Sequence, residues 1–424
     1  MRPNHLLTWI IFYAFREGAT SWNPSNFAKT EEMFIIGDLH ADIHCAKQWV
    51  YRSNMVDLSS WKWIGADNAA LVFMGDYVDR GPFGRQVLEF VRNLTVSFPQ
   101  KVVAMMGNHD LYTLADAMLP EGATLFMGAA VKDFSYAFVH PEEYLNWIPD
   151  AEKDDARTLM PSFFAALQQV YAQNYESAVM LKGQRSNTIL DWPPFRFNHS
   201  LSSRFQEQLL HWQSLAVTGL KNTKLTDWLA ARPVVVVLGG VLLVHGGLPS
   251  SLGLQRIHEL REAGAAVKVE DFFSSGRQQL LDDMHEVVTY RGFHGRKGCK
   301  EVDQVLSLLK DEGVKLIVVG HTPGNTVRKH CRDRLVAADS SLSRFYRAYG
   351  NRYCPVQVAA DRHGTCNKAL SPCAGQAVHV QNGNINLIGL DNIIEDIVFP
   401  SGGRLPQWTG ITKAPFILQP SDGV

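Results

Sequence analysis

The sequence has no apolar run long enough to cross a bilayer, which takes ~20 consecutive apolar residues. It contains no internal repeat and no low-complexity segment, so nothing in it points to a solenoid or a disordered linker protein. It has no excess of either charge: 41 Lys and Arg stand against 42 Asp and Glu, a formal net charge of −1. The basic surface that a nucleic acid or an anionic membrane favours is therefore not announced, and neither partner is expected. Charged residues are scarce at 20%, against 46% hydrophobic, an ordinary globular composition. A chain of 424 residues allows one large domain or two to three smaller ones, and it can bury a large core without crosslinks.

Cysteine is sparse, and none of the six has zinc-ribbon spacing: Cys45, Cys299, Cys331, Cys354, Cys366 and Cys373. Their even number fits a secretory compartment, although a domain of this size also tolerates unpaired core thiols. Pairing is not readable from sequence, but a bridge is expected among Cys354, Cys366 and Cys373, which share one loop-rich stretch. At the start of the chain Arg2 and His5 precede an apolar run from Leu6 to Phe15, followed by Ala19-Thr20-Ser21. This pattern predicts a signal peptide over residues 1–21 and a soluble mature chain starting near Trp22 in the secretory pathway, whether endoplasmic reticulum, vesicle or extracellular space. Arg16 and Glu17, close to the cleavage site, speak for the other reading, an N-terminal helix packed on a cytoplasmic domain. Two glycosylation acceptors occur, Asn93-Leu94-Thr95 and Asn198-His199-Ser200, and the second is favoured because the first falls in a predicted helix.

Short apolar runs recur, and several end in a glycine followed by a polar residue. Met33–Ile36 leads into Gly37-Asp38, Leu71–Met74 into Gly75-Asp76, Val102–Met106 into Gly107-Asn108, and Leu316–Val319 into Gly320-His321. Such runs fit buried strands, with glycine allowing a sharp turn at the strand end. Polar residues just beyond the strand ends of an α/β sheet are where ligands usually bind. Helical spacing appears at Val302, Val305, Leu306 and Leu309, and at Val87, Leu88, Val91 and Leu94. Hairpins are predicted around Gly239-Gly240 and Asn382-Gly383. Residues 113–230 differ: long, aromatic-rich and helical in pattern, with Phe205, Leu209 and Trp212 on one face, they read as an insert or cap between site motifs.

The strand ends carry carboxylate, amide and imidazole groups with no thiolate, a donor set suited to Mn, Fe or Zn. Two ions ~3.5–4 Å apart need a bridging ligand, which Asp76 can supply, and they can share and deprotonate a water. Arg80 and Arg291 offer guanidinium forks for phosphate oxygens. His109 can protonate a leaving alkoxide, with Asp79 fixing its orientation. Singly, each has a bland reading as a turn aspartate, a core histidine or a surface ion pair. Five motifs in order at successive strand ends make that reading a run of coincidences.

Those motifs, Gly37-Asp38-Leu39-His40, Gly75-Asp76-Tyr77-Val78-Asp79-Arg80-Gly81, Gly107-Asn108-His109-Asp110, His245-Gly246-Gly247-Leu248 and Gly320-His321-Thr322, resemble those of the calcineurin-like metallophosphoesterases. The second motif is that of the phosphoprotein phosphatase branch. Tyr290-Arg291-Gly292 ahead of a cysteine and a helix, Gly-His-Thr-Pro as the last motif, and the long insert resemble the Shewanella-like protein phosphatases. The resemblance covers roughly residues 33–395 outside the insert and leaves 396–424 as a tail. It implies an α/β sandwich of two mixed sheets flanked by helices, with a helical insert. It implies Asp38, His40 and Asp76 as ligands of a first metal, and Asp76, Asn108, His245 and His321 as ligands of a second. Arg80, Arg291 and Asn108 would hold the substrate phosphate, and His109 with Asp79 would form the acid pair. Manganese is the favoured metal, with iron or zinc as alternatives. Two positions depart from the family pattern: Ala41 where glycine is usual, and Asp110 where glutamate is usual. The C-terminal signature of the familiar eukaryotic Ser/Thr phosphatases is missing, so the resemblance does not carry over their regulatory partners, and the regulatory partner is left open.

The implied reaction is hydrolysis of a phosphomonoester on phosphorylated Ser, Thr or Tyr of a protein. A diadenosine tetraphosphatase or nucleotide phosphatase shares most of the motifs. A non-catalytic pseudo-phosphatase is the rival from another class, and an intact His109 argues against it, since a binding-only protein needs no general acid.

Overall fold

The computed structural model of the chain describes residues 23–118, 139–182, 202–263, 278–346, 354–360 and 366–390. Its strands, in chain order, are β1 (Glu32–Ile36), β2 (Val56–Asp57), β3 (Lys62–Trp63), β4 (Ala69–Phe73), β5 (Val102–Ala104), β6 (Val235–Leu238), β7 (Val241–Val244), β8 (Leu316–Val319), β9 (Arg328–His330), β10 (Leu335–Ala337), β11 (Val358–Ala360), β12 (Cys366–Ala369), β13 (Gln376–Gln381) and β14 (Asn384–Gly389). They build two five-stranded mixed sheets, ordered β14-β13-β1-β4-β5 and β6-β7-β8-β10-β9.

Successive side chains of a strand face opposite ways, and here both faces are covered. Met33, Ile35, Ala70 and Val72 meet Val236, Leu243, Val318 and Val336 in a core between the two sheets. Phe34, Ile36, Leu71 and Phe73 point the other way, onto helices Ile43–Ser53 and Gly84–Ser97. That is why the strands read as continuous apolar runs rather than alternating ones. The expected hairpins form: β6 pairs with β7 and β13 with β14. Gly239, Gly240, Asn382 and Gly383 at their tips take positive φ, as two-residue turns between twisted strands require.

The described parts of the 113–230 stretch are helical, at Asp150–Lys182, Ser203–Lys221 and Leu225–Ala230. Among its described aromatics, Tyr144, Phe163, Phe164 and Trp212 pack with Met160 and Leu209 in a cluster separate from the sandwich. The insert is tied to the catalytic layer by Glu143, whose carboxylate accepts Gly84 N–H (2.7 Å) and Arg85 N–H (2.9 Å) at the start of the Gly84–Ser97 helix. A carboxylate there satisfies donors that the helix cannot.

All six cysteines are paired, as Cys45–Cys373, Cys299–Cys331 and Cys354–Cys366. The bridge expected within the 354–373 stretch is Cys354–Cys366, while Cys373 reaches back 328 residues to Cys45. Among the described residues no helix is long and apolar enough to cross a membrane. The segment expected to be a signal peptide, the Asn198 acceptor and the expected 396–424 tail lie outside the described residues.

Candidate active site

Strand register positions the site. β1, β4 and β5 are parallel, with Ile36 beside Phe73 and Phe73 beside Ala104. In the other sheet β7, β8 and β10 are parallel, with Val244 beside Val319 and Val319 beside Ala337. Six carboxyl ends therefore finish level, and the next residues, Asp38, Asp76, Asn108, His245, His321 and Asp339, converge. All six are at most 8% exposed. The turns that aim them are tight. Gly75 has φ +104°, and a Cβ there would run into the backbone of Gly107; a Cβ on Gly107 would strike the Asp76 carboxylate. Several non-glycine residues share the left-handed region: His40 (φ 41°), Ala41 (54°), Asp76 (53°), Asp79 (66°), Arg80 (71°) and His321 (60°). Each such conformation costs on the order of 1 kcal/mol, and such strain gathers at functional sites. Ala41, the departure from the family's glycine, is one of the strained positions.

The imidazoles are oriented from behind. His245 Nδ1 donates to the Met74 carbonyl (2.7 Å), which turns Nε2 toward Asp76 Oδ2 (3.3 Å) and Asn108 Oδ1 (3.2 Å). His40 Nδ1 faces the Val78 carbonyl (3.3 Å), which leaves Nε2 3.8 Å from Asp76 Oδ2. His321 Nδ1 lies 2.8 Å from Asn108 Oδ1. Asp38 accepts the His321 N–H at 3.1 Å. Metal-binding histidines characteristically commit their other nitrogen in this way. Two compact groups result, His40 with Asp76 and His109, and Asp76 with His245 and His321, and Asp76 is the member they share.

The electrostatics favour a cation. Burial, then the charges of Asp339 and Asp76, push the Asp38 carboxyl well above its usual range. Burial opposes the Asp76 charge as well, but the imidazoles of His245, His109 and His40 hold that carboxyl well below it. Burial should neutralise His245, yet the Asp76 and Asp38 carboxylates raise it to about 10. Burial pushes His40 and His321 down instead, keeping them neutral as ligands must be. Oxygen and nitrogen donors, an excess of buried carboxylate and no thiolate together fit divalent metal.

Beside this cluster, Asp79 Oδ2 sits 2.5 Å from His109 Nδ1, and Arg80 Nη2 is 3.4 Å from His109 Nε2. Arg291 is exposed at the rim, its Nη1 donating to Thr322 Oγ1 (3.0 Å), next to His321. Every residue singled out from the sequence is thus brought to one place.

Three further features were not anticipated from the sequence. Asp339, beyond β10, is buried at 1% exposure; its Oδ1 accepts Ser341 N–H (3.0 Å), and its Oδ2 has no hydrogen-bond partner among the described residues. Tyr346 stacks on His40 with ring centroids 4.9 Å apart, and the Arg80 guanidinium lies 5.1 Å above the Tyr346 ring. Asp42, directly after the first motif, takes Arg344 Nε and Nη2 (both 2.8 Å) in a fork that fastens this segment over the site.

Asp110, the second departure from the family pattern, has a clear task. Fully buried, its carboxylate accepts N–H groups of Asp76 (2.8 Å), Tyr77 (3.0 Å) and Gly107 (2.8 Å), tying the second motif to the third. Burial and the neighbouring Asp76 charge push it up to about 7. Asp110→Ala would strand three buried donors, so a loss of ~3 kcal/mol or more is expected in denaturant unfolding. An unchanged midpoint would show that the motifs hold together without it.

Buried carboxylates and imidazoles meet at the parallel strand ends of a two-sheet sandwich, beside two arginines, and make a candidate metal centre. Consistent with it, the calcineurin-like phosphoesterase family model matches residues 33–183 and 196–325, and the chain belongs to that family. It is an enzyme, a phosphoric monoester hydrolase. Among curated relatives it is similar to Shewanella-like protein phosphatase 2 of Arabidopsis thaliana, with 24% identity over 76% of this chain and 73% of the relative. It is also similar to Shewanella-like protein phosphatase 1 of Plasmodium berghei, with 29% identity over 78% of this chain and 72% of the relative. Of solved structures, a cold-active protein-tyrosine phosphatase of a psychrophilic Shewanella species aligns at TM-score 0.48 and 17% identity, covering 88% of this chain and 84% of that one.

Proposed function

We propose that the chain is a phosphoprotein phosphatase using two divalent metal ions, with manganese favoured over iron or zinc. Asp38, His40 and Asp76 would hold one ion, and Asp76, Asn108, His245 and His321 the other. The observation that carries this reading is that two compact donor groups, His40 with Asp76 and His109 and Asp76 with His245 and His321, share Asp76. Asp38 accepts the His321 N–H beside them, and His109, held by Asp79, is taken as the acid rather than a ligand. When bound, such ions supply Lewis acidity toward phosphoryl oxygens and a water acidic enough to attack near neutral pH. Arg80 and Arg291, with the Asn108 amide, grip the phosphate and orient it for in-line displacement. His109 gives its Nε2 proton to the departing alkoxide. Asp79, 2.5 Å from Nδ1, accepts the Nδ1 proton and so orients the ring and favours the imidazolium, the form whose Nε2 has a proton to give. Two relatives named as protein phosphatases, each aligned over about three quarters of the chain, support a protein substrate. Six cysteines in three bridges support an oxidising compartment, in keeping with residues 1–21 as a signal peptide.

The substrate is tested by comparing kcat/KM for phosphoserine, phosphothreonine and phosphotyrosine peptides with that for diadenosine tetraphosphate at one metal concentration. At least one phosphopeptide is expected to exceed the dinucleotide. A dinucleotide value above all the peptides would move the enzyme to the nucleotide phosphatases.

A further inference from the structure

The chain is balanced in charge overall, yet residues 291–300 and 328–334 are not. Eight of these residues are Lys or Arg, and Asp333 is the lone acid. The Cys299–Cys331 bridge holds the two segments side by side with Cα atoms 5.2 Å apart, and the His294 and His330 rings approach to 6.2 Å across the same seam. Asp333 is engaged by Lys329 (3.1 Å), and Arg334 pairs with Asp303. Arg296, Lys297, Lys300 and Arg332 are exposed, with no ion pair among the described residues. The positive field is felt locally: burial, reinforced by Arg328, His330 and Arg291, holds His294 down to about 4.

This basic face begins at the hydrolytic centre. Thr322, adjacent to His321, accepts Arg291 Nη1 at its hydroxyl (3.0 Å) and Arg328 Nη2 at its carbonyl (2.6 Å). Arg291 at the phosphate site and the exposed lysines of the Gly298–Leu308 helix start therefore belong to one continuous positive strip.

We infer that this strip is a docking surface for the acidic flank of a phosphopeptide, so that the enzyme prefers phosphorylated residues followed or preceded by Asp or Glu. The inference rests on the phosphoprotein phosphatase reading above. A nucleic acid would meet the same charges, but the strip is narrow, the chain as a whole is neutral, and one end of the strip is the site where a phosphate is hydrolysed. Carboxylates on the same peptide as the phosphate fit that geometry. Exposed charge pairs are individually weak, so two or three of them are expected to give about tenfold in kcat/KM at low salt.

The test uses two phosphopeptides of identical centre, one with Asp flanks and one with Ala flanks, and p-nitrophenyl phosphate as a flankless reference. For the wild-type enzyme the Asp peptide is expected to lead about tenfold at low salt, and the lead is expected to collapse in about 0.5 M salt, where the Debye length falls to about 4 Å. Changing Lys297, Lys300 and Arg332 together to Glu should invert the preference, and changing them together to Gln should erase it. Both triple variants should keep the p-nitrophenyl phosphate rate. Equal wild-type rates on the two peptides, or a preference that survives in both triple variants, would overturn the inference. An oligonucleotide bound by the wild type and lost in the Glu variant, with no flank preference, would assign the strip to nucleic acid and overturn it too. If p-nitrophenyl phosphate is hydrolysed but no phosphopeptide is, the protein-substrate reading itself fails, and this inference with it.

Discussion

Asp76→Asn is expected to abolish turnover, lowering kcat by at least ~10³-fold, because a divalent-ion pair is worth several kcal/mol of transition-state stabilisation. Asp76 is the residue common to both ligand groups. Its Oδ2 lies 3.3 Å from His245 Nε2 and 3.8 Å from His40 Nε2, while Oδ1 accepts the His109 N–H at 2.9 Å. The amide keeps the size of the side chain and can keep the contact to His109, so the fold should survive. What it removes is the negative charge between the two imidazoles and one of the two oxygens that could hold an ion. Metal content should fall along with kcat on p-nitrophenyl phosphate, while the unfolding midpoint should move far less. A variant that retains both bound metal and near wild-type kcat would exclude Asp76 as the bridge.

His109→Gln tests a different part of the site. Removing a general acid typically lowers the rate by ~10²–10⁴-fold. The effect should track the leaving group. An alkyl phosphate, whose alkoxide needs a proton, should lose the most, and an aryl phosphate should lose much less. Bound metal should stay at the wild-type level, because the ligands proposed for both ions remain in place. The same reasoning gives Asp79→Asn a smaller loss of the same kind, since Asp79 acts through His109 Nδ1. Equal losses on alkyl and aryl substrates would argue that His109 positions the phosphate rather than protonating the product.

The convergence of the candidate ligands was legible in the sequence because each follows its own strand by one to four residues, behind a local glycine or an apolar run. Parallel pairing with level ends does the rest. Asp339 follows the apolar run Leu335–Ala338 as His245 follows Val241–Val244, so that run was a signal that could have found it; it lacks only the glycine that marks most of the others. Tyr346 and the Asp42–Arg344 fork depend on contacts across about 300 residues, which no local pattern encodes. The same holds for Cys45–Cys373, whereas Cys354–Cys366 spans 12 residues and was within reach of a spacing argument. Ala41 and Asp110 read only as departures from a family pattern. Their physical content, a strained left-handed backbone and an acceptor for three buried N–H groups, became visible once the motifs were placed side by side. The helical pattern of the insert was legible, and Phe163 and Trp212 pack in a core of its own.

The central claim is that phosphoester hydrolysis runs on divalent metal held by these six ligands. The most direct measurement is the initial rate on a phosphopeptide by protein stripped with a chelator, dialysed, and titrated with Mn²⁺, with bound metal counted in parallel. The expected result is no turnover in the stripped protein, recovery on adding Mn²⁺, and saturation at two ions per chain, as two ligand groups sharing Asp76 imply. Full activity in stripped protein containing no metal would contradict it.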